Sequence, residues 1–352
     1  MRLAPLSPEL IAAFEKQTQA ASHLGSPFTA LLYRTIVEYG LPSSDTRTRM
    51  VRWEGDVTAA GDALPVRFCA ALHELVLSGA DADLAAVYPP NQAGLTTAAL
   101  SRAVGHIVTR QDEFIANRLE SPPQTNEIRR SSAVYAGLLH IAGRTGLPLR
   151  LSEIGASAGL NLLLDRFRHD LTHAVHGPAD STVRLKPDWR GMAPVSSNVS
   201  IAERRGCDLA PFDLSLSEHR TRLMSYVWAD QADRLERLRA ALAIAAGAPV
   251  TVDRSDALAW LETRLAAPQL GTAHVLYHTI AWQYLSKDAR DRGREIIRAA
   301  GEKTTADTPL FRLGMEPDGH SPGALLQLEA WPSGETTALA RVDFHGRWIE
   351  WR

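Results

Sequence analysis

Glu153, Gly155, Ser157 and Gly159 lie together in the stretch LRLSEIGASAGLNLLLDRF, residues 149–167. An acid ending an apolar run, followed by alternating small residues, supports two chemistries. Glycines let a backbone approach a ligand closely, the first amides of a following helix are open donors, and the acid accepts hydrogen bonds from amine or hydroxyl groups. That describes a nucleotide or cofactor turn over residues 153–159, with Ala156 and Ser157 inside it. The same residues also spell G-x-S-x-G, a bend that presents a serine hydroxyl for activation by a later acid and histidine. Asp256 and His278 follow in that order.

Other residues could serve either chemistry. Asp208 ends the run AERRGCD, and Asp256 follows VTVDRS, so both are acids at the ends of β-like segments; each is equally suited to capping a helix. The block HVLYHTIAWQYLS carries His278, Trp282, Gln283 and Tyr284. A histidine there is a candidate base, a tyrosine can orient an acceptor, and an aromatic beside an amide can stack on and hydrogen-bond a planar or cationic ligand. TNEIRRSS carries Asn126, Glu127, Arg129 and Arg130. Paired arginines hold anionic substrates well, and the plainer role for this block is capping and surface ion pairing. LKPDWRG (Asp188, Trp189, Arg190) reads as a substrate loop or a turn, and YVWADQADR (Trp228, Asp230, Gln231) as packing and solvated charge. Cys69 and Cys207 stand far apart and form neither a disulfide framework nor a zinc set. No cluster of His, Cys and Asp suggests a metal.

Two regions of different character must position these residues. Residues 1–146 read as helical. Ser7 and Pro8 open a helix, and Ser26 and Pro27 open another that ends at Gly40. LPVRFCAALHELVLSG closes at Gly79, LTTAALSRAVGHIVTRQDEFIANRLE is a long helix with a break expected at Gly105, and TNEIRRSSAVYAGLLHIAGRTG is capped by Thr125 or Asn126 and stops near Gly143. From 147 to 352, β-like and helical runs alternate. LRLSEI precedes an expected helix LNLLLDRFRHDL; NVSIAERRGCDL, PVTVDRSD and HVLYHTIAW read as strands, and HRTRLMSYVWADQADRLERLRAALAIAAG as one helix. A Pro-Ser-Gly turn at 332–334 makes the last β-like runs a hairpin. Alternation implies a doubly wound, mostly parallel Rossmann-like sheet with a C-terminal antiparallel hairpin, preceded by an all-α domain.

In such a sheet, ligands sit beyond the carboxyl ends of the strands. A hydrolase sheet has several strands before its elbow and draws an oxyanion donor from one of them; everything upstream of residue 148 reads as helical, which argues against that reading. If the turn instead follows the first strand, EIGASAG resembles the first motif of class I S-adenosylmethionine-dependent methyltransferases, with Ser157 where a middle glycine is common. That resemblance implies that Glu153, Gly155, Ala156, Ser157 and Gly159 frame S-adenosylmethionine. Asp208 would meet its ribose and Asp256 its adenine side. The acceptor would lie near His278 and Tyr284, with Asn126, Arg129, Arg130, Trp282 and Gln283 as substrate contacts. A serine hydrolase using Ser157 and a non-catalytic nucleotide- or metabolite-binding protein remain the alternatives.

The blocks TNEIRRSSAVYAGLLHIA, SEIGASAGLNLLLDRF, AERRGCDLAPFDL, SYVWADQADRLERLRAAL, HTIAWQYLS and DFHGRWIEW together resemble a bacterial family, the domain of unknown function 2332. The likeness spans nearly the full length and carries no activity with it; it implies a bacterial cytoplasmic protein. Composition agrees: 45% of residues are hydrophobic and 22% charged, with 38 basic against 40 acidic residues. That balance gives no general pull toward nucleic acid or anionic membrane and favours a small-molecule partner. MRLAPLSPELIAAFEKQTQ lacks the apolar core of a secretion signal, and no run spans a bilayer.

Overall fold

The computed structural model describes residues 6–92, 94–172 and 174–352; the first five residues of the stretch read for a signal lie outside them. The chain forms two compact units, Met1–Thr125 with Leu216–Glu236, and Asn126–Ser215 with Arg237–Arg352. The division therefore falls at residue 125, not at the expected 146, and a later segment returns to the helical unit.

The helical unit contains α1 (Pro8–His23), α2 (Pro27–Tyr39), α3 (Asp45–Val51), α4 (Leu64–Leu77), α5 (Ala82–Ala85), α6 (Thr97–Arg110) and α7 (Asp112–Arg118). The returning segment adds α9 (Ser217–Ser225); α8 (Ser131–Thr145) belongs to the other unit. Leu10, Phe14, Tyr33, Ile36, Phe68, Leu72 and Ile107 meet in its core. Ser7 caps α1 as expected, accepting from the Leu10 amide. Ser26 does not cap α2 by accepting a helix amide: its hydroxyl donates to Asp230, which also accepts the Phe28 amide at 2.8 Å. Asp230 thus satisfies a donor that the start of α2 would otherwise leave open. The long helix breaks at Gln111 and not at Gly105, where Asp112 turns to accept the Asp45 and Thr46 amides at 2.7 and 2.8 Å. The helix expected over 219–247 is likewise broken: α9 ends at Ser225 and α10 (Ala232–Gly247) begins six residues beyond Tyr226. Trp228 and Ala229, between them, pack against the helical core.

The second unit carries β1 (Leu149–Ile154), β2 (Arg168–Leu171), β3 (Ala174–His176), β4 (Arg184–Leu185), β5 (Asp188–Gly191), β6 (Ile201–Asp208), β7 (Thr251–Arg254), β8 (Ala273–Thr279), β9 (Leu310–Glu316), β10 (Ala324–Trp331), β11 (Glu335–Val342) and β12 (Trp348–Trp351), with α11 (Ala257–Arg264) and α12 (Lys287–Gly301). Nine strands form one sheet in the order β5-β12-β11-β10-β9-β8-β1-β6-β7. From β7 to β9 every pair is parallel. β9 to β12 form an antiparallel meander, and β5 pairs parallel with β12. The sheet is therefore mixed and mostly parallel, and the expected hairpin is the β10–β11 step of a longer meander. LKPDWRG supplies the edge strand β5.

Side chains alternate across the pleat. Leu149 and Leu151 of β1, Val275 and Tyr277 of β8, and Leu313 and Met315 of β9 join α8 in one core. Ile154, Leu276 and Leu310 face the opposite way and pack with Trp260, Leu261 and Ile297 of α11 and α12. α8 approaches so closely that a Cβ on Gly137 would lie 2.6 Å from Leu313. The expected helix LNLLLDRFRHDL is not built. Leu160–Arg166 is a 3-10 run with a non-helical Leu163, and Arg168–Leu171 is β2, paired with β3 and β4. Its apolar residues do not trace one helical face, because Leu160, Leu162, Leu163 and Leu164 are all buried together.

Burial holds three histidines of this unit neutral. His169 is lowered to about 4 and His274 to about 3, both chiefly by desolvation, and His278 is lowered for the same reason. His274 bonds the Ser152 hydroxyl at 2.7 Å, and His169 faces the Leu164 carbonyl at 2.7 Å. Unfolding lets each take a proton below about pH 6.5, so stability present above that value is lost as pH falls toward the folded values. His274→Gln should flatten the fall in unfolding free energy between pH 6 and pH 4 by about 1.4 kcal/mol per pH unit. Urea unfolding followed by circular dichroism measures it, and an unchanged slope rejects the assignment.

Candidate functional site

The strand order reverses at β1. The chain proceeds from β1 to β6 and β7 on one side, then returns to β8 and β9 on the other. The carboxyl ends of β1 and β8 are thus a switch point, where an open sheet leaves a crevice. Two non-glycine residues with left-handed backbones sit there, Ser157 (φ 54°) after β1 and Ile280 (φ 54°) after β8. A β-branched residue in that region is strained, and such strain gathers at functional sites.

Glu153 and Tyr277 are register partners on β1 and β8, and the Tyr277 hydroxyl donates to Glu153 Oε2 at 3.2 Å. Burial pushes the Glu153 carboxyl well above the usual carboxylate range; Asp208 adds to this, while Tyr277 and Arg130 oppose it. The turn that follows is satisfied from within. The amide of Ala156 donates to the Cys207 carbonyl, that of Ser157 to Asp208 Oδ2 at 2.9 Å, and that of Leu160 to Asn126 Oδ1 at 3.1 Å. Asp208 also accepts the Ala210 amide at 2.9 Å. Gly155 and Gly159 are left-handed, and they admit neighbours: a Cβ at 155 would lie 2.6 Å from that of Ala281, and one at 159 would lie 2.7 Å from Val250. Asp256 caps α11 through the Leu258 and Ala259 amides. Arg130 donates to the carbonyls of Phe344 (2.8 Å) and Thr279 (3.2 Å), bracing the end of β8. The Arg129 amide donates to Glu127.

The pleat separates the sequence-derived candidates. Glu153 and Tyr277 lie on the α8 face. His278 points to the α12 face, where its Nδ1 meets Glu316 at 2.7 Å and Arg312 Nε donates to its Nε2 at 3.2 Å. The Arg312 bond fixes the tautomer, with the proton on Nδ1 facing Glu316. Burial raises Glu316, but His278 and the Ala281 and Trp282 amides outweigh it and hold the carboxyl below its usual range. As folded, neither ring nitrogen of His278 is open to take a proton from a substrate, and its acid neighbour is Glu316, not Asp256. His278, Trp282 and Gln283 line one cavity of about 440 Å³. Tyr284, 76% exposed, is not among its walls.

Tyr277, Arg312 and Glu316 were not singled out by sequence. Glu316 carries the signal that marked Glu153, an acid ending an apolar strand. Arg312 is a charge inside the buried run LFRLGME, which demands a partner. Among the described residues no group of His, Cys, Asp and Glu could hold a metal ion, and no helix is long and apolar enough to cross a membrane.

Fold and site describe a mixed α/β protein whose mostly parallel sheet carries an acid-ended glycine turn at its switch point. The chain belongs to the family described as "Uncharacterized protein conserved in bacteria (DUF2332)", which matches residues 11–351. No curated protein and no solved structure matches it.

Replacing Glu153 tests the buried carboxyl. A carboxyl that stays protonated in the fold but ionises in the unfolded chain loses stability as pH rises above the usual carboxylate range. Glu153→Gln keeps an acceptor for Tyr277 and removes that loss. It should melt higher than the parent at pH 8, by about 2–4 °C per kcal/mol recovered, with the gap closing toward pH 4. A variant that melts lower at pH 8 shows the carboxylate to be ionised and paired.

Proposed function

We propose that this protein is a methyltransferase-like enzyme that uses S-adenosylmethionine and acts on a small molecule, with the cofactor over the turn after β1. The observation that carries the reading is the reversal of strand order at β1, with acids ending β1 and β6. The way the turn is satisfied refines it. Dinucleotides and nucleoside phosphates require open amides and a helix N-terminus. Here the amides of Ala156, Ser157 and Leu160 are spent within the protein, and the turn leads into a seven-residue 3-10 run. An adenosine-bearing ligand without phosphate needs neither.

The residues fit such a ligand. Asp208, half-buried at the end of β6, accepts the amides of Ser157 and Ala210 and so holds a carboxylate beside the turn. It is the natural partner for ribose hydroxyls. Asp256 lies at the end of the next parallel strand along, on the adenine side. The bound cofactor supplies an electrophilic sulfonium methyl. The chain contributes position: the Asp208–Ser157 bond holds the turn, Asn126 holds Leu160, and Arg130 braces the end of β8, so the turn is shaped before a ligand arrives. His278 acts here as a positioning residue, through Trp282, and no proton acceptor is assigned.

Calorimetry of the purified chain with S-adenosylmethionine should give saturable binding, and Gly155→Arg should abolish it because Ala281 leaves no space for a side chain. Asp208→Ala should weaken it at least tenfold. Absence of heat at millimolar cofactor rejects the reading. One observation favours a second reading: the left-handed backbone of Ser157 is the shape a nucleophile elbow takes. That reading expects a fluorophosphonate to label the parent and not Ser157→Ala.

A further inference from the structure

The cavity beside Trp282 lies between α12 and the α12-facing side of β9 and β10. Its acids are all met by protein donors. Glu316 accepts from His278 and from the amides of Ala281, Trp282 and Gln283. Asp318 accepts from Arg341 at 2.7 Å, and Glu329 from Arg312 at 2.9 Å. The positive wall is different. Arg290, half-buried, has no carboxylate partner among the described residues. Its Nη1 donates to the Gln283 and Leu285 carbonyls at 3.2 and 2.8 Å, which pins the guanidinium while leaving its other donors available. Arg294, one turn further along α12, lines the same cavity and a neighbouring one of about 660 Å³ that Arg298 also lines. Arg294 and Arg298 pair with Asp291 and Glu302 at the exposed surface, where ion pairs contribute little and exchange readily.

A second observation is independent of these charges. Trp282 is 3% exposed, and its indole N–H is buried with no hydrogen-bond partner among the described residues. Indole nitrogen is a donor only, and a buried donor left unmet costs about 1–3 kcal/mol. The ring cannot swing away to find a partner. His278 stacks on it at 5.0 Å, the Arg312 guanidinium lies 4.6 Å from its centroid, and a Cβ on Gly293 of α12 would lie 2.6 Å from its edge.

A pinned guanidinium without an acid, in a cavity whose acids are all met and whose Trp282 wall is locked in place, calls for an anion. We propose that the cavity between α12 and β9–β10 is a binding site for a small anion, held through a phosphate or carboxylate group, with Arg290 as the principal contact, Arg294 as the second and the Trp282 ring as a fixed wall. Arg290, Arg294 and Arg298 are spaced at about 6 Å along α12, which suits a ligand with two acidic groups. The site lies on the α12 face, stands on side chains apart from the turn after β1, and does not rest on the cofactor reading.

Calorimetry of the full chain with inorganic phosphate and, separately, malonate tests it. At least one anion should bind saturably with a Kd of about 1 mM or tighter. Arg290→Gln should weaken that binding at least tenfold, whereas Arg292→Gln, on the same helix but not lining the cavity, should leave it within about twofold. Phosphate alone names a phosphorylated ligand; malonate alone names a carboxylate. In a nitrogen-15 titration, the indole signal that Trp282→Phe removes should shift on binding. Because Arg290 also ties loop carbonyls, Arg294→Gln serves as the variant that leaves those bonds intact, with a loss of about threefold or more. Neither anion saturating at about 10 mM, or parent-like binding in both arginine variants, overturns the proposal.

Discussion

The parallel pairing of β1 between β6 and β8 governs this unit. It buries one strand on both faces and on both edges, so each side chain of β1 must be apolar or fully partnered. Leu149 and Leu151 meet the first condition. Ser152, held by His274 and Arg264, and Glu153, held by Tyr277, meet the second. The same pairing sets the reversal of strand order, the place where an open sheet can leave a crevice. The pleat then decides which residues can share it, because a shift of one position sends a side chain to the opposite face. Tyr277 and His278 are chain neighbours and serve different faces for this reason.

Each face handles buried polarity in its own way. On the α8 face a carboxyl is kept neutral by desolvation, with one phenol as partner. On the α12 face two carboxylates and a guanidinium are kept and linked through a neutral imidazole, Glu316 to His278 to Arg312 to Glu329. Isolated, any of these ions would be costly to bury; linked, each lone pair and proton finds a partner. The links also fix orientation. Glu316 gathers the amides of Ala281, Trp282 and Gln283, and so shapes the loop after β8 at the point where Ile280 is strained.

Much of this was legible in the sequence. Strand–helix alternation and the order of apolar runs specified the parallel core, and β1, β6, β7 and β8 each lie in a segment read as β. The family resemblance, carried by six blocks, agrees with the match over nearly the whole chain. Local patterns failed where a distant residue overrides them. Asp230 takes the capping role that Ser26 shows by position, and nothing near Ser26 announces a partner about 200 residues away. LNLLLDRFRHDL has helical propensity, but burial of successive leucines on several sides, with β2 claiming its second half, leaves only a 3-10 run. The site residues were legible as acids at strand ends. Their grouping was not, because it depends on the parity of positions across strands whose register no single segment contains.

The satisfaction of the glycine turn bears on what kind of ligand the crevice can take. A loop that waits for phosphate leaves its amides to water when empty and gains most of its binding from them. This loop has already spent them on Cys207, Asp208 and Asn126, so its shape does not depend on a ligand. What such a rigid turn can still offer is surface and the oxygens of the acids around it. Acceptors of that kind favour hydroxyl groups and positive charge over anions. The guanidinium without a carboxylate partner among the described residues, Arg290, lies instead on the α12 face. The acids lie around the turn after β1 and the Arg290 guanidinium lies in the α12-facing cavity, so the two places differ in electrostatic preference.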